Sequence, residues 1–263
     1  MRRITPPKKG SKPMPSGYSF FVDTTLCTGC RGCQTACKQW NQNPSKRTTQ
    51  TGTYQNPPDL NVDTFKLVRF NEEKVEGEDP KAFFFPDQCR HCLYPLCKVA
   101  ADAHAPGAVT IDPKTRAIIF DPEIEVSPEA FEEIRAMCPF DIPRYDEETA
   151  GMNKCTMCND RVSAGMEPAC VQACPTGAMA FGERGAILEQ ARDRASHIRQ
   201  TDGRAALIDP ESTRVIFLVT DRPDKYHKFA LAKPFGGLTR KAALKSVFGI
   251  FASIFGKPWS RDA

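Results

Sequence analysis

Apolar positions along this chain come in short bursts rather than long stripes, and each burst predicts a small element. Tyr18–Asp23 reads as a strand, and Cys33 to about Trp40 as a short helix. Residues 41–62 carry no apolar periodicity and predict a long polar loop, the kind of segment that often serves as a contact surface. Asp63–Phe70 and Lys81–Phe85 read as strands joined by the acidic turn Glu72–Asp79. Ala108–Asp112 and Ala117–Phe120 flank Pro113-Lys114-Thr115-Arg116, a hairpin pattern. Ser127-Pro128-Glu129 is a helix start, with a capping hydroxyl and proline at the first turn, and that helix should run to about Met137. Ala186–Gln200 predicts a helix and Val215–Val219 a strand. Near the end, Leu244, Val247, Phe248, Phe251, Ile254 and Phe255 recur at helical spacing behind Arg240, Lys241 and Lys245, with Lys257 after them. That stripe predicts an amphipathic helix that either packs on protein or anchors the chain at a membrane or in a partner's groove. The elements together predict an α+β, loop-rich fold.

Composition narrows the classes. A length of 263 residues allows one large domain or two small ones. Hydrophobic content is 40% with 22 prolines, which suits an interior organised by something other than a large apolar core. The net charge of +4, without basic patches interleaved with aromatics, does not argue for nucleic acid. No apolar run approaches the roughly 20 residues of a membrane span. Met1-Arg-Arg has a twin arginine but no apolar segment after it, so residues 1–17 read as a flexible basic tail rather than a signal peptide.

Twelve cysteines change the picture. Cys27, Cys30, Cys33 and Cys37 follow the spacing C-x2-C-x2-C-x3-C of the bacterial iron–sulfur run. Three closely spaced thiolates on a tight loop can wrap one [4Fe–4S] cube, whereas the fourth has entered a helix and points elsewhere. The run therefore needs a partner segment, and Cys155-x2-Cys158 with Cys170-x3-Cys174-Pro175 supplies one. Zinc remains the alternative for segment 155–174 alone, but the compact run closes a tetrahedron badly. Disulfides suit neither this spacing nor this chain length.

The middle of the chain reads as a second, incomplete copy of the pattern. Cys89, Cys92 and Cys97 form another three-sulfur loop, and Cys138-Pro139 ends the returning segment. The other expected positions hold Ala101, Pro128, Phe131 and Ile134, so one whole ligand set is missing and the remaining set is complete. The expectation is three [4Fe–4S] sites: Cys27, Cys30, Cys33 and Cys174; Cys155, Cys158, Cys170 and Cys37; and Cys89, Cys92, Cys97 and Cys138. Phe131 and Ile134 should fill the vacated place with apolar side chains. The organisation expected is a tail at 1–17 and tandem bacterial-ferredoxin-like modules over 18–185. The outer module is 18–40 plus 150–185 and the inner one 81–145. A helix–strand extension at 186–237 and the C-terminal helix and tail at 238–263 follow.

On these motifs the chain resembles the four-cluster ferredoxin-like subunits of molybdopterin oxidoreductases with one cluster lost. Cys37-Lys-Gln-Trp-Asn-Gln, Gln55-Asn-Pro-Pro-Asp, and Arg214-Val-Ile-Phe-Leu-Val-Thr-Asp to Lys225-Tyr-His-Lys resemble the iron–sulfur subunit of soluble tungsten- or molybdenum-dependent formate dehydrogenases. The resemblance implies an electron-transfer subunit, not itself an enzyme, beside a large metal–pterin catalytic subunit. It also implies an acceptor such as a cytochrome or membrane subunit. A periplasmic complex exported with the partner is implied, with a cytoplasmic complex as the alternative. The same relay beside a polysulfide or sulfoxide reductase, a freestanding ferredoxin, and a zinc-stabilised interaction module are the competing readings.

No nucleophile–base pair, phosphate loop, or flavin or nicotinamide fingerprint accompanies the cysteines. Arg31, Arg90, Lys98 and Lys154 lie beside cluster cysteines and would raise cluster potentials, or are ordinary surface cations. His91, between two ligands, either tunes its site or is simply exposed. Gly29 and Gly32 suit close backbone approach to a cube.

Overall fold

The computed structural model describes residues 16–74, 77 and 79–232. In chain order the elements are β1 (Tyr18–Asp23), α1 (Gly32–Trp40), β2 (Lys66–Glu73), β3 (Lys81–Gln88), α2 (Leu96–His104), β4 (Val109–Ile111) and β5 (Ile118–Phe120). They continue with α3 (Pro128–Ala136), β6 (Arg144–Asp146), β7 (Gly151–Asn153), α4 (Asn159–Ser163), α5 (Ala169–Gln172) and β8 (Met179–Glu183). The last are α6 (Arg184–Arg199), β9 (Ala206–Ile208), β10 (Val215–Val219) and α7 (Pro223–Tyr226). The fold mixes short helices with one four-stranded sheet and three two-stranded hairpins.

The four-stranded sheet has the order β8-β1-β10-β9, with β1 parallel to β10 and antiparallel to β8. The Val215–Val219 run is apolar throughout and every residue in it is buried, as a central strand covered on both faces requires. Alternation then sorts the two faces. Phe21, Ile216 and Leu218 pack against Ile187, Leu188, Ala191 and Ala195 of α6. Phe20, Val22, Val215, Phe217 and Val219 face Val68, Phe83 and Phe85 of the β2–β3 hairpin.

The sheet crosses the expected division at 185/186. Strand β10 pairs with β1 from Phe20↔Val215 to Asp23↔Leu218, so segment 186–232 completes the sheet rather than extending beyond it. It also docks the middle cysteine loop: Arg214 and Leu93 donate their N–H groups to the carbonyls of Arg90 and Ser212 at 2.9 and 3.0 Å. Strand β2 begins at Lys66 instead of Asp63, because Thr64 closes a tight bridge with Asn61 first. Strand β3 runs past Phe85 to Gln88 and delivers the chain directly to Cys89.

Helix α3 is capped as its sequence predicts, with the Ser127 hydroxyl accepting the Ala130 N–H at 3.2 Å. It packs on α2, and Ala101, Phe131 and Ile134 join Val109, Ile118, Phe120 and Met152 in one buried apolar cluster. Pro128 stays at the exposed first turn. The expected C-terminal helix at 238–263, residues 1–15 of the expected tail, and residues 75, 76 and 78 of the expected acidic turn lie outside the described residues.

Candidate metal centres

No disulfide joins any of the twelve cysteines. The fold gathers them into three groups. In the first, Cys27 follows β1, Cys30 lies on the loop, Cys33 sits in the first turn of α1, and Cys174 lies between α5 and β8. All four line one recess with Val68, Pro86 and Met179. Gly29 turns this loop at φ +67°, and a Cβ there would come within 2.9 Å of the Phe84 ring. Arg31 also adopts the left-handed region, at φ 62°, as the N-cap of α1.

In the second group, Cys37 is buried one turn along α1 and lies within electrostatic reach of Cys155, Cys170 and Cys158. Helix α1 packs on α5, which carries Cys170. Met157 and Cys158 both take positive φ, 65° and 48°, which folds the Cys155–Cys158 loop back on itself. In the third group, Cys97 on α2 faces Cys138, Cys89 and Cys92. The groups adjoin one another in a row. Cys33 of the first lies within electrostatic reach of Cys170 of the second, and Cys89 of the third within reach of Cys155 of the second.

Backbone N–H groups aim at these sulfurs. Those of His91 and Met157 donate to Cys89 Sγ and Cys155 Sγ, each at 3.4 Å. Cys174 Sγ meets the Thr176 hydroxyl at 3.7 Å, and the N–H groups of Gly29, of Ile142 and Phe140, of Ala169, and of Met179 and Ala178 lie near Cys27, Cys138, Cys158 and Cys174 and favour charge on them. Such bonds stabilise negative charge on sulfur and tune cluster potentials.

The interior by itself disfavours thiolate. Burial pushes Cys27 and Cys138 up to about 11 and Cys155 up to about 12, and it raises Cys33, Cys37, Cys97 and Cys170 as well. Cys174 is the contrast. Burial alone would raise it, but the hydroxyl and N–H of Thr176 and the N–H groups of Met179 and Ala178 bring it below the ordinary value. A buried thiolate set of this kind needs bound cationic metal to offset its charge.

The donor set fits iron–sulfur cubes better than single ions. Among the described residues, no three His, Cys, Asp or Glu side chains converge tightly enough to hold one ion. A four-iron cube takes one thiolate at each of its four irons and would hold the cysteine sulfurs further apart than one ion does. Around Cys89, buried donors also lack acceptors among the described residues: Gln88 Nε2, Arg90 Nε and Nη2, and His91 Nε2. Inorganic sulfide would supply acceptors to such groups.

The neighbouring cations sort themselves clearly. Arg90 is buried, paired with Asp87 at 2.8 Å and stacked among Phe85, Phe140 and Phe217 at 4.9–5.1 Å. Lys154 is buried, donating to the Ile118 and Cys155 carbonyls at 2.5 and 3.0 Å. Arg31 donates to the Tyr54 carbonyl at the surface, and Lys98 pairs with Asp102 at 2.7 Å. His91 is wholly buried, not exposed. Its Nδ1 accepts the Ile118 N–H at 3.0 Å, and burial, with Lys154 and Arg214 nearby, holds it neutral, well below the usual histidine range.

Sequence reasoning missed Lys66. It is buried on β2, donates to Gln88 Oε1 at 2.5 Å and faces Cys170, Cys33, Cys155 and Cys37. The only sequence signal was a lone cation inside the apolar run Phe65-Lys66-Leu67-Val68.

Comparison with known proteins agrees with this chemistry. A family model described as a 4Fe–4S dicluster domain matches residues 80–184. The formate dehydrogenase subunit beta of Megalodesulfovibrio gigas is 47% identical over 213 residues, covering 81% of this chain and 98% of that protein. The formate dehydrogenase 2 subunit beta (cytochrome c-553) of Nitratidesulfovibrio vulgaris is 46% identical over 81% of this chain and 97% of its own length. The iron–sulfur subunit of the nitrate-inducible formate dehydrogenase of Escherichia coli is 34% identical over 85% of this chain and 76% of its own. With its cysteines gathered for [4Fe–4S] clusters and these relatives matched along most of its length, the chain belongs to the family of formate dehydrogenase iron–sulfur (beta) subunits, which transfer electrons within a complex and do not catalyse its reaction.

Proposed function

We propose that this subunit carries three [4Fe–4S] clusters and relays electrons between the metal–pterin catalytic subunit of a formate dehydrogenase and an external acceptor. The ligand sets are Cys27, Cys30, Cys33 and Cys174; Cys37, Cys155, Cys158 and Cys170; and Cys89, Cys92, Cys97 and Cys138. The observation that carries the reading is the gathering of Cys37 with Cys155, Cys158 and Cys170, and of Cys174 with the Cys27 loop. Each exchanged cysteine ties the outer module, 18–40 plus 150–185, across its own middle. The inner module, 81–145, keeps one set. The apolar cluster around Ala101, Phe131 and Ile134 supports a count of three rather than four, because it fills the place where a fourth set would stand.

When bound, each cluster takes up and releases one electron at a time. The chain's own work is to hold the clusters in sequence and to set the charge around them. The adjacency of Cys33 to Cys170 and of Cys89 to Cys155 supports a linear path with the second site in the middle. Cys30 is exposed, which supports electron entry or exit at the first site. Formate oxidation yields two electrons, so sites in series divide and pass them singly.

The acceptor we propose is a cytochrome or a membrane subunit, in keeping with the cytochrome c-553 in the name of the Nitratidesulfovibrio vulgaris relative. The location we propose is the periplasm, reached with the catalytic partner, with a cytoplasmic complex as the alternative. Among the described residues no helix is long and apolar enough to cross a membrane. The peripheral contact proposed for 238–256 falls outside the described residues.

The test is electron paramagnetic resonance of the anaerobic purified complex on addition of formate. Signals from reduced [4Fe–4S] clusters in this subunit should appear within turnover and disappear with acceptor. Clusters that dithionite reduces but formate does not would reject the relay.

A further inference from the structure

Lys66 is as deeply buried as Arg90, but its partners are neutral. Its Nζ donates to Gln88 Oε1 at 2.5 Å and to the Pro86 carbonyl at 3.4 Å. Among the described residues no carboxylate pairs with it. An ammonium without a counter-ion in a dry interior is costly, so something negative must compensate it.

The fold shows where that charge lies. Leu67, next along β2, packs with Cys37, Cys89 and Cys155. Val68, on the same side of the strand as Lys66, lines the recess of Cys27, Cys30, Cys33 and Cys174, and Pro86 lines it too. Lys66 thus stands in the wall between the first and second thiol groups. Cys170, Cys33, Cys155 and Cys37, from those two groups, lie within its electrostatic reach. Gln88 gives a second, independent sign. Its Oε1 is turned toward Lys66, which leaves the buried Nε2 donor with no acceptor among the described residues.

We propose that Lys66 is a potential-setting residue: a fixed positive charge shared by the first and second clusters, with Gln88 held by it as a donor toward cluster sulfide. This rests on the three-cluster reading. A cube with four thiolates is net negative and gains one more negative charge on reduction. A nearby fixed cation favours the reduced form, so it raises the potential of both neighbours together. The two sites are thereby kept close in potential, and an electron passes between them without a large step. Cys89 of the third group packs on Leu67, but the thiols that act most strongly on Lys66 belong to the first and second groups, and Lys154 is the lysine within reach of Cys97 in the third.

The experiment uses the complex of this chain with its catalytic partner. Iron is counted first, and the potentials are then read by redox titration monitored by electron paramagnetic resonance. Iron-replete Lys66→Met should lower two of three midpoint potentials, each by about tenfold in the reduction equilibrium, which for one electron is about 59 mV. The third should stay in place, and Lys66→Arg should restore both. Unchanged potentials in iron-replete Lys66→Met, or an equal shift of all three, would overturn the proposal. If the methionine variant does not assemble, Gln88→Glu decides. A carboxylate against the ammonium should lower the potentials of the first and second clusters, with the third, whose ligand Cys89 follows Gln88, moving as well, and unmoved first and second potentials there overturn the assignment. Wild-type complex lacking the three clusters would overturn the underlying reading itself, and is seen at the iron count before any potential is read.

Discussion

The ring of Phe131 lies obliquely on that of Tyr145, with centroids 5.0 Å apart. Phe131 stands where the repeated cysteine pattern would put a thiolate, and the contact ties α3 to β6. Ile134, one turn on, is wholly buried in the same cluster. Ala101, Phe131 and Ile134, three of the four positions where the pattern would put a further ligand set, lie in apolar core, while Pro128 stays exposed.

Ile134→Ala should therefore act on stability and not on iron. A fully buried isoleucine reduced to alanine costs about 2–5 kcal/mol, through lost burial and the cavity left behind. Denaturant unfolding of the loaded subunit should show that loss, with iron content unchanged. Loss of a cluster's worth of iron would place a cluster beside α3.

Substitution of the exchanged cysteines should remove iron in units of one cluster. Cys37→Ser should take the cluster of Cys155, Cys158 and Cys170, although Cys37 lies within the Cys27 motif. Cys174→Ser should take the cluster of Cys27, Cys30 and Cys33. Each variant should retain about two-thirds of the iron, with the spectrum of a different cluster missing. Swapped losses would reverse the pairing.

Gly29→Ala should loosen the first site specifically. The residue sits at φ +67°, where a side chain is strained, and the new methyl would meet Phe84 at 2.9 Å and Phe70 at 3.1 Å. Either the two rings shift or the loop that carries Cys27 and Cys30 moves. Faster bleaching of visible absorbance under oxidant or chelator is expected, confined to one cluster. Bleaching at the wild-type rate would show the loop is not held this closely.

Acid should weaken the packing of the C-terminal part of the sheet unit. Burial holds His227 down to about 4 against an ordinary value of 6.5, although Asp87 lies 3.7 Å from its Nε2. A histidine lowered in the folded state contributes stability that is fully present above the unfolded value. That stability is lost as pH falls from about 6.5 toward 4, by up to about 1.4 kcal/mol per pH unit. His227→Gln should flatten this part of the stability profile. An unchanged slope between pH 6.5 and 4 would assign it to other groups.

Much of the site was legible because metal spacing is a local property of the chain. The motif loops, the capped start at Ser127, and the apolar runs of β1 and β10 all announce themselves within a few residues. What was not legible is non-local. Nothing in Val215–Val219 says that it lies parallel to β1, so the segment after 185 read as an addition. The strands β6, β7 and β9 have three residues each, too few to show a period. Helix α2 was not foreseen because Leu96–His104 begins inside a cysteine motif. Lys66 and His91 are polar residues enclosed by distant segments, Lys66 among the thiols and His91 by Ile118, Lys154 and Arg214. Sequence neighbours suggested Arg31 and Lys98 as tuning cations, whereas the fold puts Arg31 against a surface carbonyl and Lys98 in a pair with Asp102.

The most direct measurement is the iron and acid-labile sulfide content of this subunit, purified anaerobically with its partner and separated from it before analysis. Three cubes predict about twelve of each per chain, with no stoichiometric zinc. About sixteen would restore the fourth cluster. About eight, or zinc in place of iron at any group, would contradict the assignment of all twelve cysteines to three [4Fe–4S] sites.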